Sequence, residues 1–133
     1  MIVLDTHVAL WFIVGSHLLG RRSKEIARKA AAQSQLAVSA VSFWEIALLI
    51  IKRRLRSLDS AEHTRRLMLD AGVTELPLTG DIAILAGELE GLHGDPADRF
   101  IAATAIAHKA TLVTADERLL RWRHSLRRHN AET

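Results

Sequence analysis

Residues 1–15, MIVLDTHVALWFIVG, place a single acidic side chain, Asp5, between two apolar runs. The run Ile2–Leu4 is short, apolar and partly β-branched, which predicts a buried strand. Residues 8–14 are apolar on every side, which predicts a buried helix. A carboxylate held between two buried elements is costly unless a cation or another partner compensates it. Asp5 is therefore the first candidate functional residue.

Beyond this stretch, strand-like and helix-like runs alternate along the chain. The predicted strands cover residues 2–4, 36–39, 73–76 and 111–114. The predicted helices cover residues 8–14, 23–33, 42–52, 61–71, 81–89, 97–108 and 117–122. Strands separated by helices of about ten residues form right-handed βαβ units in a parallel sheet. With 133 residues and no linker-like segment, we expect one α/β domain spanning residues 1–133.

Three of the predicted helices begin with a capping signal. Ser42 and Glu45 have the S-x-x-E spacing of a capping box. Thr79 suits the N-cap of the helix that follows it. Asp95 and Pro96 suit an N-cap and a first helical position.

The composition excludes several kinds of site. The chain has no cysteine, which removes disulfides, thiolate ligands and a cysteine nucleophile, and which fits a reducing cytoplasm. The uncharged stretch 8–15 is far shorter than the ~20 residues of a membrane span. No basic region precedes it, as one would in a signal peptide. We therefore expect a cytoplasmic protein that is not associated with a membrane.

The net charge is +3, and most basic residues fall in three clusters. The clusters comprise Arg21, Arg22, Lys24, Arg28 and Lys29; Lys52, Arg53, Arg54 and Arg56; and Arg118, Arg121, Arg123, Arg127 and Arg128. Such clusters suit a phosphate backbone, although a solvated helix face explains any one of them equally well. They favour a nucleic-acid partner without establishing one.

Four carboxylates lie where the predicted strands end or where the next helices begin. Asp5 follows the first strand directly, and Asp116 comes two residues after the strand 111–114. Glu45 and Asp98 lie in the first turns of predicted helices. Each acid alone has a structural explanation, because acidic residues are favoured at helix starts. Ligands bind at the carboxyl ends of parallel strands, so the four acids together predict a site there.

The donor types indicate a hard cation. Carboxylates without thiolates, and without two histidines at ligand spacing, favour Mg²⁺ or Mn²⁺ over zinc. An acidic site that holds such ions suits phosphodiester hydrolysis, in which the metal positions water and stabilises charge on the phosphoryl group.

Four segments of the chain resemble the PIN-domain family, specifically the VapC-type toxins of toxin–antitoxin pairs. They are LDTHVALW (4–11), VSFWEIALL (41–49), DPADRFIAATAIAH (95–108) and LVTADERL (112–119). The resemblance implies a three-layer α/β/α sandwich with a central parallel sheet of four or five strands. It also implies an Mg²⁺- or Mn²⁺-dependent endoribonuclease, an RNA substrate, a cognate antitoxin and a homodimer.

The resemblance also assigns roles to residues. The acidic site that it implies consists of Asp5, Glu45, Asp98 and Asp116, and the metal ligands among them are Asp5, Asp98 and Asp116. Thr6 and Thr114 match the family's hydroxyl residues near the first and last acids. Asp95 is better explained as a helix cap. Apart from the resemblance, the position of Arg99 beside Asp98 leads us to expect that it either pairs with an acid or binds phosphate.

One feature of the sequence remains open. The segment 124–133, HSLRRHNAET, is polar, whereas family members commonly end in another strand. The sequence therefore does not decide whether a final strand exists. His93 is expected at the surface or at a helix end.

Other functional classes fit the acids less well. A haloacid-dehalogenase-type aspartyl-phosphate phosphatase needs Asp-x-Asp after the first strand, where this chain has Asp5, Thr6 and His7. A receiver-like module needs an acid after the third strand, where Pro77 and Leu78 stand. A non-catalytic nucleic-acid-binding domain, whose acids only cap helices, is the third alternative.

Overall fold

The computed structural model describes residues 1–52 and 60–133. Within these ranges the chain forms five strands and seven helices. The strands are β1 (Ile2–Leu4), β2 (Leu36–Ser39), β3 (Thr74–Leu76), β4 (Thr111–Thr114) and β5 (Arg128–Asn130). The helices are α1 (Thr6–Val14), α2 (Arg21–Ala32), α3 (Val41–Ile51), α4 (Ala61–Asp70), α5 (Gly80–Glu88), α6 (Pro96–Ala107) and α7 (Glu117–Leu120). Three arginines of the second basic cluster lie outside the described residues, namely Arg53, Arg54 and Arg56.

The strands form one parallel sheet in the order β3-β2-β1-β4-β5. β1 is central, with Val3 opposite residues of both β2 and β4. Successive strand residues point to opposite faces of a sheet. Accordingly, Leu4 packs in a cluster with Val8 of α1 and Met68 of α4, whereas Val3 packs in another with Ile101 of α6. Helices cover both faces, as the predicted three-layer α/β/α architecture requires.

β5 resolves the question left open by the polar C-terminal segment. Leu112 N–H donates to Arg127 O (2.9 Å), and Ala131 N–H donates to Thr114 O (2.9 Å). An edge strand is held by main-chain bonds on one side, so it can form without an apolar run. The Arg128 guanidinium fixes the backbone segment that precedes this strand. It donates hydrogen bonds to the carbonyl oxygens of Leu119, Trp122, His124 and Leu126. Arg128 is therefore a structural residue rather than a free cation of the third basic cluster.

The remaining differences from prediction concern the ends of elements. α1 begins at Thr6, two residues earlier than predicted, because the Asp5 side chain caps it. α7 ends at Leu120, two residues earlier than predicted. Thr79 and Asp95 cap α5 and α6 as predicted. In the two described ranges, no helix combines the length and the apolar character needed to cross a membrane.

Gly20 precedes α2 and lies against the end of the chain. Its N–H donates to Ala131 O (2.8 Å), and a methyl group at this position would overlap the backbone of Glu132 and Thr133. We predict that Gly20→Ala lowers the free energy of unfolding by about 1–3 kcal/mol, the usual cost of overpacking. Urea unfolding measures this change. The control is Gly80→Ala, whose methyl group would meet open space; equal stability of the two variants would contradict the prediction.

Candidate active site

One cavity of about 350 Å³ contains all four predicted acids. It opens where β1 and β4 end and where α3, α6 and α7 begin. Its lining consists of Asp5, His7, Val8, Trp11, Glu45, Asp95, Asp98, Ala115, Asp116 and Arg118. The parallel sheet thus brings together carboxylates from distant parts of the chain.

Asp5 lies at the carboxyl end of the central strand and is buried. Its Oδ1 accepts from Thr6 N–H (2.8 Å), and its Oδ2 accepts from the Thr114 hydroxyl (2.6 Å). Burial raises the pKa of Asp5, and the two hydrogen bonds oppose that rise. Among the described residues, no basic side chain forms an ion pair with Asp5. Its two carboxyl oxygens therefore accept hydrogen bonds from neutral donors.

Glu45 lines the cavity, and its side chain contacts Thr6. The Thr6 hydroxyl donates to Glu45 Oε1 (2.5 Å) and lies 2.9 Å from the Ser42 hydroxyl. One hydroxyl carries one proton, so Ser42 is the donor of the second bond. Burial raises the pKa of Glu45 to about 7, and the negative charges of Asp5 and Asp98 add to that rise.

The predicted capping box of Ser42 and Glu45 is wrong. The N-cap of α3 is Ala40, which makes no side-chain cap bond, and the Ser39 hydroxyl accepts from Val41 N–H (3.2 Å). Ser42 and Glu45 bind Thr6 instead. A contact between distant elements has replaced the local one that the spacing indicated.

Asp95 and Asp98 occupy different environments at the start of α6. The Asp95 side chain accepts from Asp98 N–H (3.1 Å) and caps the helix, as predicted. The Asp98 side chain is buried and points into the cavity, where its Oδ2 lies 2.7 Å from His93 Nε2. Burial raises the pKa of Asp98 to about 6; the bond from His93 opposes that rise, and the charge of Asp5 adds to it.

His93 was expected at the surface or at a helix end, and this expectation is wrong. Its side chain is only 17% exposed. Nδ1 is buried without a hydrogen-bond partner in the described part of the chain. A buried N–H without an acceptor is costly, so the proton belongs on Nε2, which then donates to Asp98. His93 positions Asp98, and no sequence spacing marked it because it lies in the irregular segment before α6.

Asp116 is partly exposed, and Arg118 accompanies it. The Thr114 hydroxyl accepts from Asp116 N–H (3.0 Å), so Thr114 connects Asp116 with Asp5. Asp116 Oδ1 accepts from Arg118 N–H (2.8 Å), and Arg118 Nη2 lies 3.1 Å from Asp116 Oδ2. Burial alone would raise the pKa of Asp116, but the bonds and the charge of Arg118 lower it.

Arg99 contacts backbone carbonyls rather than acids. A guanidinium has five N–H donors, and here they meet five carbonyl oxygens at 2.7–3.3 Å, those of Ala86, Gly87, Leu89, Leu92 and His93. Trp122 Nε1–H donates to Glu90 O (2.9 Å) in the same segment. The expectation that Arg99 pairs with an acid or binds phosphate is therefore corrected: Arg99 fixes the segment that carries His93.

The donor set fits a hard divalent cation. Carboxylate oxygens of Asp98 and Asp116 lie within 4.8 Å of each other, and His93 lies beside them as the hydrogen-bond donor to Asp98. With carboxylates as the main donors, this arrangement suits Mg²⁺ or Mn²⁺. Asp5 lines the same cavity, but both of its oxygens already accept hydrogen bonds. Each carboxylate oxygen has two lone pairs, so these bonds leave Asp5 able to contact a cation.

Comparisons with known proteins all indicate the same protein family. Residues 2–124 match the family model of the PIN domain. The chain is 34% identical over 131 residues to the ribonuclease VapC22 of Mycobacterium tuberculosis, covering 92% of each sequence. Its fold is similar to Rickettsia felis VapBC2 bound to promoter DNA (TM-score 0.68, 22% identity, 98% of each chain). It is also similar to DNA-bound VapBC from Salmonella typhimurium (TM-score 0.69, 17% identity, 96% of each chain).

The raised pKa values of Glu45 and Asp98 predict how stability depends on pH. The unfolded pKa values are 3.8 for Asp98 and 4.5 for Glu45, and the folded values are about 6 and about 7, respectively. In the pH range between the unfolded and the folded values, the folded protein binds more protons than the unfolded chain. Stability therefore decreases as pH rises through this window. We expect the metal-free protein to melt at a higher temperature at pH 5 than at pH 8.

Glu45→Gln isolates one of the two groups. At pH 8 this variant should melt several degrees higher than the parent, since about 1 kcal/mol corresponds to roughly 3–6 °C in a domain of this size. At pH 5 the difference should be smaller. The control is Glu88→Gln at the exposed end of α5, which should change neither value. A lower melting temperature for Glu45→Gln at pH 8 would contradict the prediction.

Arg99→Ala tests the anchor of the segment before α6. We expect it to lower the free energy of unfolding by about 2 kcal/mol or more, because five carbonyl oxygens lose their charged donor. Chemical unfolding measures the loss. Arg66→Ala, on the exposed face of α4, is the control and should cost less than about 0.5 kcal/mol. If both variants are equally stable, Arg99 does not anchor the segment.

Proposed function

This chain belongs to the PIN domain family, and we propose that it is a metal-dependent endoribonuclease acting as the toxin of a toxin–antitoxin pair. The observation that carries the proposal is the cavity in which Asp5, Glu45, Asp98 and Asp116 meet. Residues 1–133 would form a single nuclease domain. RNA is the substrate that we assign, since the 34% identical relative is a ribonuclease.

The acids divide into cation ligands and a proton carrier. Asp5, Asp98 and Asp116 would hold Mg²⁺ or Mn²⁺, which supplies Lewis-acid stabilisation of phosphoryl charge and lowers the pKa of bound water. Glu45, whose pKa is raised to about 7, suits the transfer of a proton at its carboxylate oxygen, because general bases work best with a pKa near the working pH. The Thr6 hydroxyl orients Glu45 for this role.

Thr114 and His93 would hold the ligands in place. Thr114 contacts both Asp5 and the backbone of Asp116, and His93 contacts Asp98. Hydrogen bonds from neighbouring side chains orient metal ligands in this way.

A second cavity supports binding of an extended partner. It has a volume of about 280 Å³ and shares Glu45 and Asp95 with the acidic cavity. The shared residues make the two cavities neighbours, and Trp44 and Lys52 also line the second one. RNA or a peptide segment of an antitoxin would fit along them. Exposed apolar side chains on α3, such as Trp44 and Ile51, suit contact with an antitoxin or with a second copy in a homodimer.

Asp5→Asn tests the proposed activity. The protein, purified free of antitoxin, should cleave RNA when Mg²⁺ or Mn²⁺ is added, and the variant should lose at least about 100-fold in rate because a ligand charge is removed. Cleavage of total RNA, analysed by sequencing of the new ends, measures this and locates the cut sites. Metal-dependent cleavage by Asp5→Asn at the parent rate would overturn the assignment. A metal that leaves the melting temperature unchanged would favour the non-catalytic alternative.

Thr114→Val tests the orientation of Asp5 with almost no change in shape. We expect a 10–100-fold loss of activity, the usual effect of removing a group that orients a metal ligand. The matched control is Thr104→Val on α6, a buried threonine that donates to Phe100 O (2.7 Å). Equal activity of the two variants would show that Thr114 does not act through Asp5.

A further inference from the structure

Arg118 places a positive charge against two carboxylates of the acidic cavity. Its Nη2 lies 3.1 Å from Asp116 Oδ2 and 3.6 Å from Asp98 Oδ2, and its backbone N–H also contacts Asp116. These two carboxylates are also among the cation ligands proposed above. A guanidinium that pairs with them and a divalent cation that binds them compete for the same negative charge.

The contact is weak enough to be exchanged. The Arg118 side chain is 60% exposed, and exposed ion pairs contribute only about 0.2–1 kcal/mol. A dication bound to several carboxylates would therefore displace the guanidinium. The backbone of Arg118 stays in place because it belongs to α7, so the displaced side chain remains at the rim of the cavity.

Other arginines near the cavity have different contacts. All five donors of Arg99 meet backbone carbonyls. Arg121 pairs with Glu117 (3.0 Å) and does not line the cavity. Within residues 1–52 and 60–133, Arg118 is the arginine that lines the cavity and can turn toward a bound phosphate. A guanidinium binds phosphate oxygens through two parallel hydrogen bonds.

We propose that Arg118 exchanges partners during the reaction: it neutralises Asp98 and Asp116 in the free protein and binds a phosphate of the RNA backbone once a divalent cation has taken its place. This inference rests on the proposed nuclease function and adds a substrate-binding residue to it. It assigns Arg118 two opposite effects, weakening the binding of the cation and strengthening the binding of RNA.

The first measurement is the Kd for Mn²⁺, determined by calorimetry on the full chain without RNA. Arg118→Ala should bind Mn²⁺ roughly 2–5-fold more tightly, the equivalent of one exposed ion pair. Arg121→Ala removes the same charge from a nearby position outside the cavity and should leave the Kd unchanged. An unchanged or weaker Kd for Arg118→Ala would overturn the proposal.

The second measurement is RNA cleavage at saturating Mn²⁺, where differences in metal affinity no longer matter. Arg118→Ala should raise KM about 3–10-fold with little change in kcat, because a contact to a non-reacting phosphate contributes uniform binding. Arg121→Ala should retain the parent KM. Arg118→Gln, which keeps the side-chain length without the charge, should repeat both effects if the alanine variant does not fold. An unchanged KM would also overturn the proposal.

The two measurements separate this inference from the nuclease assignment. If the parent protein neither binds Mn²⁺ nor cleaves RNA, the proposed function fails and the role of Arg118 fails with it. If the parent does both and Arg118→Ala behaves like the parent, only the role of Arg118 fails. General damage to the fold would weaken both metal and RNA binding, whereas the proposal requires changes in opposite directions.

Discussion

The buried carboxylate of Asp5, at the end of the central strand and without an ionic partner among the described residues, is the constraint on which the site depends. A buried charge needs hydrogen bonds or a counter-ion. The fold supplies an N–H from Thr6 and a hydroxyl from Thr114, both neutral. Both bonds come from neutral donors, so no basic side chain among the described residues offsets the carboxylate of Asp5. The central position of β1 explains why the other acids gather around Asp5.

The same cavity gives the acids different protonation behaviour. Burial raises the pKa of Glu45 to about 7 and that of Asp98 to about 6, whereas the contacts of Arg118 lower the pKa of Asp116. Environments that separate the pKa values of nearby carboxylates separate their roles as well. Asp116 stays ionised and suits a ligand, whereas Glu45 can hold a proton near neutral pH.

The sequence predicted most of the fold because apolar runs mark buried elements directly. β1, β2 and β4 lie at the predicted residues, and the caps of α5 and α6 were read from local side chains. β5 could not be predicted, since its main-chain bonds need no apolar residues. One local pattern gave a wrong prediction. Ser42 and Glu45 have the spacing of a capping box, but both contact Thr6 instead, which requires α1 and α3 to meet. His93 reaches Asp98 from an irregular segment whose carbonyl oxygens contact Arg99, and no spacing in the sequence indicates that contact. Arg118 was visible only as part of a basic cluster.

The anchoring of the segment between α5 and α6 has a consequence for how this protein can vary. Arg99 and Trp122 bind carbonyl oxygens, which every amino acid offers alike. The anchors therefore do not depend on the side chain at an exposed position of the segment, such as Glu90. Mutations at Glu90, for example, can accumulate there while the backbone continues to present His93 to Asp98. An exposed position beside the acidic cavity is thus free to change while the contact between His93 and Asp98 is kept.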